Sequence, residues 1–208
     1  MRTDDYKNAI ALAVQDLSGR EPADVARAAG AEMYLHYMDL QYIFHKARIR
    51  LPGWEAGWAP PRDADELPLT DQVLIFHYLQ GAKNVPLSGD LAAYREIPGG
   101  TFYFDAFRRR AEIPLAQVFG ARPGILSRVS ELSGGKLVKG YGDEAALFRV
   151  FPHVEILVML YHADDEFEAR GQVLFDRSVG SYLSPEDISW LGSGLVYRLM
   201  GAARGLRD

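Results

Sequence analysis

Cysteine is absent from the 208-residue chain. That excludes disulfide frameworks, thiolate zinc sites, thiol nucleophiles and iron–sulfur ligation by this chain. It also fits a reducing compartment, so a cytoplasmic location is the expectation. No stretch approaches the ~20 apolar residues of a membrane span, and the start, MRTDDYKNAI, has no apolar signal-peptide centre. An excess of basic charge is missing as well. Lys and Arg number 23 against 28 Asp and Glu, a formal charge of −5, without a basic stripe. Nucleic acid and membranes are therefore not expected partners. There is no Gly-x-Ser-x-Gly elbow, HExxH helix, Walker loop or dinucleotide fingerprint, and no internal repeat or low-complexity segment.

What remains is average globular composition, 48% hydrophobic and 25% charged. A chain of this length hides roughly 70% of its unfolded surface, so its core needs no structural metal. Thr3, Asp4 and Asp5 start a first helix with an apolar face of Tyr6, Ile10, Ala13, Val14 and Leu17. A second begins at Pro22 and stops at Gly30. Residues 31–37 and 41–51 read as strands, the second from alternation of Ile43, Ala47, Ile49 and Leu51 with polar neighbours. Pro52 to Asp65 reads as a surface loop.

Residues 71–80 form a helix apolar nearly all round, with Thr70 as its cap, which implies a buried position. A short strand before Ile97 precedes helices over 102–111, from Pro114 to Gly120, and from Pro123 to Leu132. Strands follow over 136–139, 145–151, 154–162 and 172–175. Ser184-Pro185-Glu186-Asp187 combines a cap, a first-turn proline and first-turn acids, and launches a helix whose face is Ile188, Leu191, Leu195, Val196, Leu199 and Met200. The pattern is α+β: an antiparallel sheet covered by helices, without βαβ alternation. It reads as a single domain over 1–208, with the helical segment 1–30 packed on it.

Several residues invite a functional reading, each beside a plainer one. Gly99-Gly100-Thr101 before a helix offers backbone N–H groups to an anion, or is a Gly-Gly turn with a Thr cap. Arg108-Arg109-Arg110 spread over about 200° of helix, so one can turn inward and clamp a carboxylate or phosphate while the others are solvated. His77, in the apolar helix, is either a core histidine or the ligand of a metal or of a tetrapyrrole iron or cobalt. His45 is similarly placed, whereas His36 and His153 carry no local signal. His162 with Asp164, Asp165, Glu166 and Glu168 is a ligand-rich span or a polar hairpin tip. Trp54, Trp58 and Trp190 can stack a ligand or pin loops.

Asp71–Leu79, Tyr94–Tyr103, Phe104–Arg110, Pro114-Leu115, Phe119-Gly120, Leu174-Phe175-Asp176 and Tyr182–Asp187 together resemble a bacterial and archaeal domain-of-unknown-function family (DUF 3786). The resemblance implies an anaerobic metabolic setting. It also implies an association with a four-cysteine iron–sulfur domain of the kind found near corrinoid proteins. Any electron-transfer role of this cysteine-free chain would then need an iron–sulfur or corrinoid partner protein. It draws attention to Asp71, His77, Tyr94, Arg95, Gly99, Gly100 and Arg108–Arg110. The first expectation is an accessory protein binding a cofactor or small ligand, tetrapyrrole or corrinoid included, through His77, Arg95, Gly99, Gly100, Arg108 and Arg109, with His77 as metal ligand. The alternatives are an enzyme for a small anionic substrate, with Arg95 or Arg108 binding charge and His77 or Asp71 as acid or base, and a protein-interaction domain without a pocket.

Overall fold

A computed structural model describes residues 3–35, 37–50, 58–59 and 67–206, the pair 58–59 by backbone alone. His36, Trp54 and most of the expected loop from Pro52 to Asp65 lie outside the described residues. The chain divides into two compact units.

The first unit comprises Met1–Pro86, Val150–His153 and Ser181–Leu183. Helices α1 (Thr3–Leu17) and α2 (Pro22–Ala29) both lie against α3 (Leu69–Gly81). A four-stranded antiparallel sheet joins β1 (Glu32–Tyr34), β2 (Tyr37–Tyr42), β3 (His45–Arg50) and β4 (Trp58–Ala59) in chain order. The single strand expected over 41–51 is thus a hairpin, with Tyr42 paired to His45. Its two-residue turn contains neither glycine nor asparagine. Ile43 instead takes φ 47°, held by its N–H donating to Val150 O (2.7 Å) and by Gln41 Nε2 donating to its carbonyl (2.8 Å). An unusual conformation fixed by two hydrogen bonds left no turn signature to read. Within the stretch expected to be loop, residues 58–59 pair with β3 as β4.

Helix α3 starts earlier than expected, with Pro68 and not Thr70 at the cap position. Tyr78, fully buried on it, stacks on Phe151 with centroids 4.1 Å apart and planes 3° from parallel, and on Tyr182 at 5.2 Å. Its hydroxyl donates to Ala29 O (2.9 Å) and accepts from His153 N (3.2 Å). Burial pushes that hydroxyl far above the ordinary tyrosine range, so it stays neutral. The helix is not buried on every side. Val73, His77 and Gln80, spaced by four and three residues, form a half-buried stripe.

The second unit comprises Leu87–Arg149, Val154–Gly180 and Ser184–Asp208. Short strand β5 (Leu91–Ala93) runs into a 3-10 turn, Tyr94–Glu96, and then α4 (Gly100–Arg110), α5 (Glu112–Phe119) and α6 (Ile125–Leu132). Strands β6 (Lys136–Leu137), β7 (Glu144–Phe151), β8 (Val154–Tyr161) and β9 (Arg170–Asp176) precede α7 (Pro185–Gly205). The sheet order is β5-β9-β8-β7-β6. Its β8–β9 register sets Ile156 against Phe175, Val158 against Val173 and Leu160 against Gly171. Apart from Gly171, those side chains are completely buried, each contributing roughly 1.5–3 kcal/mol of transfer free energy. Helix α5 lies against β9 and β8, with α4 and α7 packed on it. This is the expected α+β class. The last helix begins where the sequence puts it: Ser184 Oγ accepts from Asp187 N (3.2 Å), and Asp187 closes the reciprocal capping box. Among the described residues, no helix is long and apolar enough to cross a membrane.

Candidate functional site

Three aromatic rings organise one edge of the second unit. Tyr94 lies 4.5 Å from Phe107 and 6.1 Å from Phe175, and Phe107 lies 5.8 Å from Phe175. They tie the Tyr94–Glu96 turn, α4 and β9 together. Each ring neighbours the elements that bear a cationic residue: Arg95 follows Tyr94, Arg108 follows Phe107, and Arg170 opens the strand that carries Phe175. The Tyr94 hydroxyl donates to Pro185 O (2.7 Å), and burial, partly offset by a hydrogen bond with Ser189, pushes its pKa up to about 12.

The same elements, with α5, line a cleft of about 360 Å³. Its polar lining is Arg95, Arg108, Glu112, Arg170 and Gln172, and its apolar wall includes Phe104 and Ile113. That volume is at the small end of ligand pockets, which run from roughly 300 to 1,000 Å³. The Arg95 guanidinium sits 5.9 Å from the Phe104 ring centre. Among the described residues, none of the three guanidinium groups forms an ion pair or hydrogen bond with another side chain or carbonyl. In a protein of net charge −5, three such cations in one concavity make a local positive field, strengthened by the low-dielectric walls.

Glu112 is the acidic member. Burial pushes its carboxyl above the ordinary glutamate value, against the pull of the Val173 amide and of Arg170, Arg108 and Arg95. It stands in the first turn of α5, the end at which the helix dipole favours an anion, while Arg108 stands in the last turn of α4, the end that favours a cation. Gly171 makes this arrangement possible. A Cβ there would come within 2.8 Å of Glu112 O and 2.9 Å of Leu115 Cδ2, so the missing side chain lets α5 seat directly on β9.

The structure brings Arg95 and Arg108 together and leaves the other expected residues elsewhere. Arg109 is exposed and does not line the cleft. Arg110 sits over the Trp190 ring, 4.8 Å from its centre. Gly99 adopts φ 80°. A Cβ on Gly100 would collide with the Tyr94 carbonyl oxygen, and the Gly100 amide donates to Ile97 O at 2.8 Å. The pair therefore makes a tight turn that docks α4. Thr101 does not cap that helix; its Oγ1 donates to Arg95 O at 3.2 Å. His77 lies in the first unit on the half-buried stripe of α3. Asp71, buried, accepts from the Tyr42 hydroxyl at 2.8 Å. His45 opens β3, edge-on to Tyr42 with centroids 5.6 Å apart. Among the described residues, no group of three or more His, Cys, Asp and Glu side chains is arranged to hold a metal ion.

The span from His162 forms a turn: Asp164 Oδ1 accepts from Glu166 N (2.9 Å) and Phe167 N (2.7 Å). His162 itself faces two acceptors, with Nδ1 at 3.0 Å from Gly120 O and Nε2 at 2.8 Å from Glu144 Oε1. Burial opposes ionisation of Glu144. Donors from the Ser127 hydroxyl and amide, the Gly124 amide and His162 outweigh it and hold the carboxyl below its usual value. This group fastens the end of α5, the start of α6 and the strands β7 and β8.

The second unit is thus an α+β arrangement with a small cationic cleft lined by α4, α5, β9 and the turn after β5. A family model described as Domain of unknown function (DUF3786) matches residues 21–198, and the chain belongs to that family. No curated protein and no solved structure matches it.

Proposed function

We propose that the chain is a ligand-binding accessory protein whose cleft, lined by Arg95, Arg108 and Arg170, takes a small anionic molecule. The observation that carries this reading is the convergence of three guanidinium groups on one pocket against a single carboxylate, Glu112. Like charges gathered in a partly apolar concavity repel one another, and a bound carboxylate or phosphate relieves that repulsion through charge-assisted, often bidentate hydrogen bonds. Phe104 and Ile113 supply an apolar wall for the remainder of the ligand. A cytoplasmic setting, suggested by the absence of cysteine, supplies many such anions. The test is calorimetric titration of inorganic phosphate and of malate at low salt into the wild type and Arg108→Ala. Binding to the wild type is expected, weakened about 10- to 100-fold by loss of one charged hydrogen-bonding group and weakened again by added salt. Equal affinity in both proteins, or no binding of either anion, refutes the assignment.

A further inference from the structure

We infer that the anion held in this cleft is a hydroxylated dianion, its charged groups met by Arg95, Arg108 and Arg170 and its hydroxyl by Glu112. The inference rests on the anion-binding reading above and adds the ligand's class. Three guanidinium groups against one carboxylate leave two positive charges in the cleft, the charge a dianion neutralises. A monoanion would leave cations uncompensated, and a trianion would overshoot.

Glu112 supplies the second criterion. Its carboxylate has about four acceptor positions, and the Val173 amide engages it from the β9 side. The groups that face it from the packed elements are Arg170 on β9, Arg108 on α4 and Arg95 on the turn before α4. Glu112 is half-buried and lines the cleft, so a ligand seated there meets its carboxylate and pairs with it through a donor. An ammonium would bring a fourth positive charge beside three guanidinium groups, whereas a hydroxyl donates without adding charge. An anion with no donor sets its own charge against the carboxylate and leaves it unsatisfied, the arrangement by which polar sites reject analogues lacking one hydroxyl.

Dicarboxylates and phosphate monoesters share this chemistry, so two pairs of probes separate them: malate against succinate, and glycerol 3-phosphate against propyl phosphate. Titrations at pH 7.5 and low salt are expected to give at least about a tenfold preference for the hydroxylated member of one pair, the size of a hydrogen bond to a charged group. The preferred pair identifies the anion. Glu112→Met removes the acceptor and should erase the preference. Glu112→Gln keeps the size and one acceptor oxygen, so it should keep part of the preference while binding both members of the pair more tightly. Should the Met variant fail to fold, the Gln variant still decides, because a preference and affinity identical to wild type there overturn the assignment. Equal binding of both members by the wild type, with affinity lost in Arg108→Ala, overturns the hydroxyl assignment and leaves the anion site standing. Binding of no probe overturns both.

Discussion

Replacing Asp176 by alanine should reveal how the strand leading into the cleft is held. The carboxylate is buried, 1% exposed, at the end of β9. It accepts from Ser88 N (3.0 Å), Ser88 Oγ (2.9 Å), Gly89 N (2.7 Å) and Ser178 N (2.9 Å). Three of these are backbone amides, which the substitution leaves without a partner unless water enters. Each hydrogen bond to a charged acceptor is worth ~1.5–3 kcal/mol in isolation. Bonds sharing one acceptor do not add, so the expected cost of Asp176→Ala is about 3–5 kcal/mol. The loop so anchored runs straight into β5, whose partner is β9, and then to Arg95. Urea denaturation at pH 7 measures the total, and amide exchange at Leu91–Ala93 measures the local loosening. Acid supplies a second check. Burial raises the carboxyl of Asp176, but the hydrogen bonds from Ser178 and Ser88 outweigh it and the folded value lies below the ordinary one. Its contribution is therefore complete above the unfolded pKa near 4 and is lost as pH falls through the lower folded value. The gap between wild type and variant should hold from pH 8 to 5 and shrink below about pH 4. A cost under about 1 kcal/mol at pH 7, or a gap that widens in acid, would refute the reasoning.

Two further substitutions probe the frame of the site. Ser184→Ala should cost about 1 kcal/mol by removing the cap of α7, and Leu195→Ala, fully buried on the same helix, about 2–5 kcal/mol; denaturant midpoints with the reverse order would contradict this placement of the helix. Gly171→Val forces branched carbons toward Glu112 O and Leu115, so about 1–3 kcal/mol of overpacking is expected, with anion affinity falling as α5 shifts; a melting temperature and a phosphate titration both equal to wild type would show that α5 does not need the glycine.

What the sequence disclosed depended on whether the signal was local. The capping box at Ser184 and Asp187 is spelled out in four consecutive letters, Pro22 marks the start of α2, and the apolar runs of β7 and β8 are long enough to read. The Tyr42–His45 hairpin was illegible because its turn is set by Ile43 reaching Val150, far along the chain. The burial of the helix around His77 was overestimated for a different reason. An apolar helix has no compositional mark for the stripe it shows to solvent, and Val73, His77 and Gln80 happen to be that stripe. At the cleft, Arg95 and Arg108 stood out through motif and charge. Glu112 and Arg170 went unnoticed because only the packing of α5 on β9 around Gly171 brings them to the same pocket. Gly99 and Gly100 carried two readings, an anion cradle and a Gly-Gly turn, and the structure shows the turn, with Gly100 at the close approach of α4 to the Tyr94 carbonyl.

The most direct measurement is diffraction from crystals soaked in selenate, a tetrahedral dianion located by its anomalous signal. The prediction is a peak within hydrogen-bonding reach of the Arg95, Arg108 and Arg170 guanidinium groups in the wild type, absent from Arg108→Ala crystals treated alike. Selenate sites elsewhere on the surface with none in this cleft would contradict the anion-binding assignment.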